Sequence, residues 1–136
     1  MDMQMGERQI GNVTILDLSG RLTIDHGADL LKDKINSLIV EGRTRVVLNL
    51  ALLAYMDSSG LGQLVSCHNS LAKTTGGLML LHLTKKNTDL LSITRLATVF
   101  RTTDSEDDAL LGFREDAMRN VSSAPITRIL SIPPLS

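Results

Sequence analysis

Strand-like and helix-like apolar patterns alternate along most of this chain. A strand pattern precedes a helix pattern three times, at 13–18 before 28–40, at 45–50 before 61–72 and at 78–83 before 86–97, and a short strand follows at 98–101. The runs at 45–50 and 78–83 are almost continuously apolar, which is typical of strands covered on both faces. Because each helix then connects two neighbouring strands, the alternation predicts right-handed crossovers in a largely parallel sheet.

The two ends of the chain add an antiparallel strand and a last helix. A weak strand pattern at 3–10 is joined to the next strand by a two-residue Gly-Asn turn, which is typical of a β-hairpin. An acidic group at 104–108 indicates the start of a final helix, running to about Met118, that buries Leu110, Phe113 and Ala117. The prediction is one α/β domain over residues 1–119, a mixed, mostly parallel sheet of about five strands with about four helices.

Residues 120–136 are predicted to form a C-terminal tail. They contain three prolines and show neither helical nor strand periodicity, yet they carry several Ile and Leu residues. A loose end and a segment that docks on the domain or on a neighbouring copy both fit this composition. The oligomeric state therefore stays open.

The composition argues against several classes of function. A chain of 136 residues suffices for one domain with a substantial core. Its 14 Lys and Arg against 15 Asp and Glu give a net charge of -1 without a long basic run, and aromatic residues make up only 2%. Nucleic acid and membrane surfaces are therefore not expected as partners. Residues 1–10 lack the apolar stretch of a signal peptide, so we expect a cytoplasmic protein.

Cys67 is the only cysteine, which excludes an intramolecular disulfide and suits a reducing compartment. Its neighbour His68 does not make it a metal site, since no further residues complete a ligand set. His68 falls on the apolar face of the predicted helix, where we expect a hydrogen-bonded residue at the edge of the core. No metal and no other cofactor is expected.

The turn between the strand at 45–50 and the helix at 61–72 carries the strongest functional signal. It reads Met56-Asp57-Ser58-Ser59-Gly60-Leu61-Gly62. The first amides of a helix lack intrahelical partners and favour oxygen acceptors or a phosphate, so either serine fits the role of an N-cap. The two glycines, each unfavourable in a helix by about 1 kcal/mol relative to Ala, indicate that something approaches the backbone closely. Asp57 would repel a phosphate added to the neighbouring serine.

An enzymatic role for these serines is disfavoured. The nucleophile elbow of hydrolases requires a glycine two residues before the serine, where this chain has Met56 or Asp57. Among the histidines, His26 is expected in a loop, His68 on a core face and His82 in a strand, which makes each a poor general base. The glycines also lack the spacing of a dinucleotide-binding or phosphate-binding loop. We therefore expect no catalytic residues, and a serine hydrolase is the least favoured alternative.

Three segments resemble one protein family. Residues 57–62 look like the phosphorylation motif of the STAS domains, and within them of the single-domain anti-sigma factor antagonists. The segments 18–22 (Leu-Ser-Gly-Arg-Leu) and 47–50 (Val-Leu-Asn-Leu) are similar to the segments that end a strand and precede the motif in that family. The resemblance covers roughly residues 13–111 and implies a STAS-like fold.

The resemblance also implies a partner switch controlled by phosphorylation. Ser58 stands where the family carries its phosphoserine, so the unphosphorylated protein would bind an anti-sigma factor serine kinase and release a sigma factor. Phosphorylation would switch this binding off, and a serine phosphatase is implied as a further partner. The expected partner-binding residues are those of the motif: Met56, Asp57, Ser58, Ser59, Gly60, Leu61 and Gly62.

Some roles stay open at this point. Ser59 is interpreted as a cap or as a contact to the kinase, and Asp57 as a partner of the Ser58 hydroxyl, a kinase contact or simply a turn-forming residue. STAS domains also serve as scaffolding subunits and as regulators of transporters. A STAS scaffold or accessory subunit of a signalling assembly or transporter is therefore the alternative function.

Overall fold

The computed structural model describes residues 3–123, with the side chains of residues 3–114. The elements in this range are β1 (Gln4–Ile10), β2 (Val13–Leu22), α1 (Ala28–Val40), β3 (Arg45–Met56), α2 (Ser58–Ala72), β4 (Gly77–Leu81), α3 (Lys85–Ile93), β5 (Arg101–Thr103) and α4 (Glu106–Ser123). The strands form one sheet in the order β1-β2-β3-β4-β5. β1 is antiparallel to β2, and all other neighbours are parallel. The predicted fold class is confirmed.

The first hairpin and the first helix form where the sequence predicts them. Ile10 pairs with Val13 across the two-residue turn. Gly11 has a φ of 59°, a left-handed conformation that glycine reaches without strain. The predicted bounds of α1 agree with the structure, and its buried residues are Ala28, Leu31, Ile35 and Leu38. Local turn chemistry and a single unambiguous apolar stripe therefore suffice for this part of the chain.

The helices cover the two faces of the sheet unequally. Leu16, Leu18 and Leu22 of β2 belong to the larger core, which they share with residues of α1, α2 and α3. Val13 and Ile15 point to the opposite face and belong to a smaller core that α4 closes. Because successive strands lie side by side and crossovers of one hand return on the same side, three helices share one face. The opposite face is left to α4.

β2 and β3 extend farther than predicted. Their expected ends were residues 18 and 50, whereas they run to Leu22 and Met56 and stay paired with each other to those residues. Two register shifts interrupt this pairing, so burial along the end of β3 recurs every third residue, at 50, 53 and 56. Such bulges break the two-residue alternation by which a strand is recognised in sequence.

The buried face of α3 is not the one with the longer apolar spacing. Leu90, Ile93 and Ala97 recur at helical spacing, but Ile93 is 79% exposed, and Asn87 and Leu91 are buried. Both stripes have helical spacing, so only the position of the sheet decides between them. α3 also ends at residue 93 rather than 97, and β5 lies at 101–103 rather than 98–101.

α4 is longer than predicted. It runs to Ser123, so the expected domain boundary between residues 119 and 120 falls inside this helix. Ala109 and Phe113 are buried and Leu110 is partly buried. The side chain of Ala117 and the tail at 124–136 lie outside the described residues. No helix in the described range combines the length and apolar character needed to cross a membrane.

Candidate functional site

Asp57 alone joins the end of β3 to the start of α2. Its backbone is extended, and its Oδ1 accepts a hydrogen bond from the N–H of Gly60 at 2.8 Å, so Asp57 is the N-cap of α2. Its Oδ2 accepts from the N–H of Ile24 at 3.3 Å, which ties the β2–α1 loop to the turn. Neither Ser58 nor Ser59, the two residues considered as caps, has that role, because the preceding carboxylate fills the position.

Ser58 is the first residue of α2, and its side chain is exposed, whereas Ser59 is partly buried. Since Asp57 provides the cap, the helix does not need the hydroxyl of Ser58. The unpaired first amides of α2 and the positive end of its macrodipole lie at this position, which favours an anion such as a phosphate. The turn thus presents an accessible hydroxyl where an added phosphate would gain backbone contacts.

The two glycines of the turn have different surroundings. A Cβ at Gly60 would lie 2.1 Å from the backbone oxygen of Leu22, whereas a Cβ at Gly62 would meet no atom within 4 Å. The close approach that the sequence indicated therefore exists at Gly60, where the chain itself supplies the approaching atom. Gly62 is exposed and leaves open space beside Ser58.

Two apolar residues of the motif point inward. Met56 is 6% exposed and Leu61 is 5% exposed, and both belong to the larger core. Gly60 is also buried. In the structure these three residues offer little surface to a partner, and their place in the contact surface stays a prediction. They hold the turn in position from below, and the accessible motif residues are Asp57, Ser58, Ser59 and Gly62.

Ile24 is a surface residue of the site that the sequence reasoning missed. It is 68% exposed and lies in the β2–α1 loop, whose backbone is hydrogen-bonded to Asp57. The available signal was a single large apolar residue in the otherwise polar stretch 23–27. Nothing in local sequence placed that stretch beside Ser58, since the contact joins residues far apart in the chain.

A polar network precedes the turn on the α4 face of the sheet. The Arg8 guanidinium donates to both carboxylate oxygens of Asp17, at 2.7 and 3.0 Å, and to Glu106 at 2.9 Å. Asn49 donates to Asp17 at 2.8 Å and accepts from the N–H of Ala51 at 3.1 Å. The hydrogen bonds from Arg8 hold the pKa of Asp17 below its usual range. The network therefore fixes β3 at its first register shift, shortly before the turn.

His68 and Cys67 lie apart from the turn. His68 follows Ser58 by ten residues on α2, which corresponds to about 15 Å along a helix. Its Nδ1 is buried without a hydrogen-bond partner among the described residues, contrary to expectation, and its ring meets Phe100 edge-on at 5.4 Å. Burial raises the pKa of the Cys67 thiol. In the described range, no group of three or more His, Cys, Asp or Glu could hold a metal ion.

Comparison with known proteins identifies the fold. The sequence model of the STAS domain matches residues 6–109. TM1081 from Thermotoga maritima superposes with a TM-score of 0.75 at 24% identity, over 81% of this chain and 94% of that one. The unphosphorylated anti-sigma factor antagonist SpoIIAA gives 0.61 at 20% identity, over 88% and 99%, and the Bacillus protein was also solved phosphorylated. A sulfate transporter family protein from Wolinella succinogenes gives 0.69 at 20% identity, over 82% and 92%.

At these identities the structural likeness concerns the fold and does not by itself select a function. The match to the STAS sequence model extends over most of the chain, from β1 into α4. Its range includes residues of all five strands and the turn that carries Ser58. This chain belongs to the STAS domain family.

Proposed function

We propose that this protein is an anti-sigma factor antagonist that acts in the cytoplasm as a binding module and not as an enzyme. Its unphosphorylated form binds an anti-sigma factor serine kinase, which releases a sigma factor, and phosphorylation of Ser58 switches the binding off. The observation that carries the proposal is the exposed Ser58 at the first residue of α2, with the capping done by Asp57. The fold likeness to SpoIIAA, solved with and without phosphate, supports it.

The proposed contact surface consists of the accessible groups around the turn. Ser58 lies near its centre, with the partly exposed Asp57 and Ser59 beside it. Gly62 has no side chain and leaves room for a partner to approach the helix closely. Ile24 adds exposed apolar area from the neighbouring loop. This combination of a small polar centre and an apolar edge suits a protein partner better than a small-molecule substrate.

A phosphate on Ser58 would act on this surface through its charge. It adds about -1.5 to -2 charges beside the Asp57 carboxylate. Burying that charge unpaired in an interface costs several kcal/mol, which corresponds to a few decades in Kd. The helix is not expected to melt, because an anion at a helix N-terminus gains about 0.3–1 kcal/mol. The switch is therefore local to the interface.

Binding of Ser58 variants to a purified anti-sigma factor serine kinase from the same organism tests the proposal. Ser58→Asp should raise Kd by about 100-fold while the melting temperature stays close to that of the wild type. Ser58→Ala should bind normally, because it removes only the hydroxyl. Ser66→Asp, which places the same charge on an exposed position of α2, is the matched control. Wild-type affinity of Ser58→Asp would refute the mechanism.

The phosphorylation step has its own measurement. Incubation with the kinase and Mg-ATP should add one phosphoryl group to the wild type and none to Ser58→Ala, as read by mass spectrometry. A serine phosphatase that removes the group should restore binding. Phosphorylation at Ser59 alone would show that Ser59, and not Ser58, carries the switch.

The fold likeness to a sulfate transporter family protein favours one alternative, a scaffold or accessory subunit of a signalling assembly or transporter. In that case the complex purified from the source cells would contain the transporter or the assembly, and Ser58→Asp would leave its composition unchanged. The alternative would be contradicted if the complex contained a kinase whose binding and release required ATP and Ser58.

A further inference from the structure

α4 packs over only part of the sheet face formed by β2 and β3. α4 packs over Val13 and Ile15 of β2, and its first residue, Glu106, accepts a hydrogen bond from Arg8, which also holds Asp17. Beyond that row, β2 and β3 remain paired as far as Leu22 and Met56. The last rows of the two strands therefore lie outside the part of the sheet that α4 covers.

Two cross-strand pairs in these last rows lie on the α4 face of the sheet. Ser19 is paired with Leu52, and Arg21 is paired with Tyr55. Alternation along β2 places Ser19 and Arg21 on the same face as Ile15, the face of α4. Leu52 is 74% exposed and Tyr55 is 47% exposed. Ser19, Arg21, Leu52 and Tyr55 are named the uncovered strip.

Arg21 gives the uncovered strip a charge as well as apolar area. Its guanidinium lies over the ring of Tyr55, 5.6 Å from the centroid. Among the described residues, no carboxylate forms a salt bridge with it. An exposed apolar pair beside a cation without an acidic partner is complementary to an apolar surface that carries a carboxylate.

The uncovered strip is close enough to Ser58 for one partner to contact both. Tyr55 precedes Ser58 by three residues and Leu52 precedes it by six. At no more than about 3.6 Å per residue, they lie within about 11 and 22 Å of Ser58. A standard interface buries about 800 Å² on each partner, a patch roughly 30 Å across.

We propose that the uncovered strip is a docking surface for the same partner that Ser58 controls, and that this partner presents an apolar patch over Leu52 and Tyr55 with a carboxylate facing Arg21. The inference rests on the proposed function. The uncovered strip would contribute binding affinity through contacts remote from Ser58. The phosphorylation state of Ser58 would control whether the partner can bind and form those contacts. Ile24, beside the turn, continues the apolar contact toward Ser58.

Charge introduced into the uncovered strip tests the inference. The Kd for the purified anti-sigma factor serine kinase is measured by titration calorimetry on the full chain. Leu52→Asp and Arg21→Glu are each expected to weaken binding by about 10-fold or more, because they place a carboxylate against the apolar patch or the acidic group. Arg21→Lys, which keeps the charge, should recover most of the affinity.

Ile93→Asp is the matched control, since Ile93 is 79% exposed on α3, which packs against the opposite face of the sheet. It should bind like the wild type. Thermal melting followed by circular dichroism confirms that each variant is folded. Should Leu52→Asp fail to fold, Tyr55→Ser and Arg21→Glu provide the same comparison.

The outcomes separate this inference from the proposed function. Wild-type affinity of Leu52→Asp and Arg21→Glu, together with lost affinity of Ser58→Asp, would overturn the strip and leave the Ser58 switch intact. If the unphosphorylated wild type does not bind the kinase, both fail. If Leu52→Asp converts a dimer into a monomer in sedimentation without changing the kinase Kd, the occupant is a second copy and the inference is also overturned.

Discussion

Replacing Gly60 or Gly62 by Ala should change stability in opposite directions, although both lie in the first turn of α2. A Cβ at Gly60 would stand 2.1 Å from the backbone oxygen of Leu22 and 2.9 Å from its carbonyl carbon. Real Cβ atoms essentially never come within 3.0 Å of such neighbours. Since the obstructing atoms belong to the backbone of β2, they cannot turn away as a flexible side chain could.

The size of the effect at Gly60 follows from this geometry. Relieving the contact requires the start of α2 to move away from β2 by at least the difference between 2.1 and 3.0 Å. Overpacking of this kind costs about 1–3 kcal/mol. The shift also strains the hydrogen bond from the Asp57 N–H to the Leu22 oxygen, 3.3 Å long, which is worth about 1 kcal/mol. Ala gains about 1 kcal/mol over Gly in a helix, so the net loss is about 1–3 kcal/mol.

Gly62→Ala is the matched comparison. The added methyl meets no atom within 4 Å, so only the helical preference of Ala remains, a gain of about 0.5–1 kcal/mol. The free energies of unfolding of the two variants should therefore differ by roughly 1.5–4 kcal/mol and lie on opposite sides of the wild-type value.

Urea unfolding, followed by circular dichroism, measures the free energy of unfolding of both variants in the same buffer. Equal slopes of this free energy against urea concentration show that the mutations act on the native state. A Gly60→Ala variant as stable as the wild type would refute the close approach of α2 to β2. A Gly62→Ala variant that loses stability would show that the space beside Ser58 is occupied.

Three further predictions concern Asp57, Asp17 and Cys67. Asp57→Ala removes the N-cap of α2 and should cost about 1 kcal/mol in thermal melts, while Asp57→Asn, which keeps an acceptor, should lose less. Arg8 lowers the pKa of Asp17 in the folded protein. The ionised carboxylate therefore stabilises the fold at pH values above the unfolded-state pKa of about 4. This stabilisation is lost as the pH falls through the lower pKa of the folded state. Asp17→Asn should therefore lower stability at neutral pH and flatten its decline on acidification in urea unfolding, and an unchanged decline would contradict the role of Arg8. The buried Cys67, whose thiol pKa is raised, should react with a thiol reagent at neutral pH only after urea is added, and a fast reaction of the native protein would show that α2 opens.

The elements that sequence predicts well are those whose signals are local. The β1–β2 hairpin depends on two turn residues, and the bounds of α1 depend on one apolar stripe that ends before Gly42, which has a left-handed φ of 79°. α3 was predicted less well because two stripes of helical spacing compete, and only contact with the sheet buries Leu91 rather than Ile93. The end of β3 was missed because its bulges depend on pairing with β2, which lies far away in sequence.

The motif could be found from the sequence, but the division of its tasks could not. Any of Asp57, Ser58 and Ser59 fits an N-cap by residue type, and the strand length decides that the first of them takes the position. Met56 and Leu61 look like contact residues in a linear motif, yet they complete the core beneath it. Ile24 joins the site only because the end of β2 runs beside the end of β3.

The sequence by itself determined the alternation of strands and helices, the mixed sheet that follows from it, and a hydroxyl-bearing turn before α2, because periodicity and turn preference act over a few neighbouring residues. Only the tertiary structure decided which of those residues face outward. α4 covers part of one sheet face, and Leu52 and Tyr55 on that face are exposed. The backbone of β2 packs closely against Gly60, whereas Ser58 is exposed. Exposure depends on which distant segment packs where, and that is a property of the whole fold.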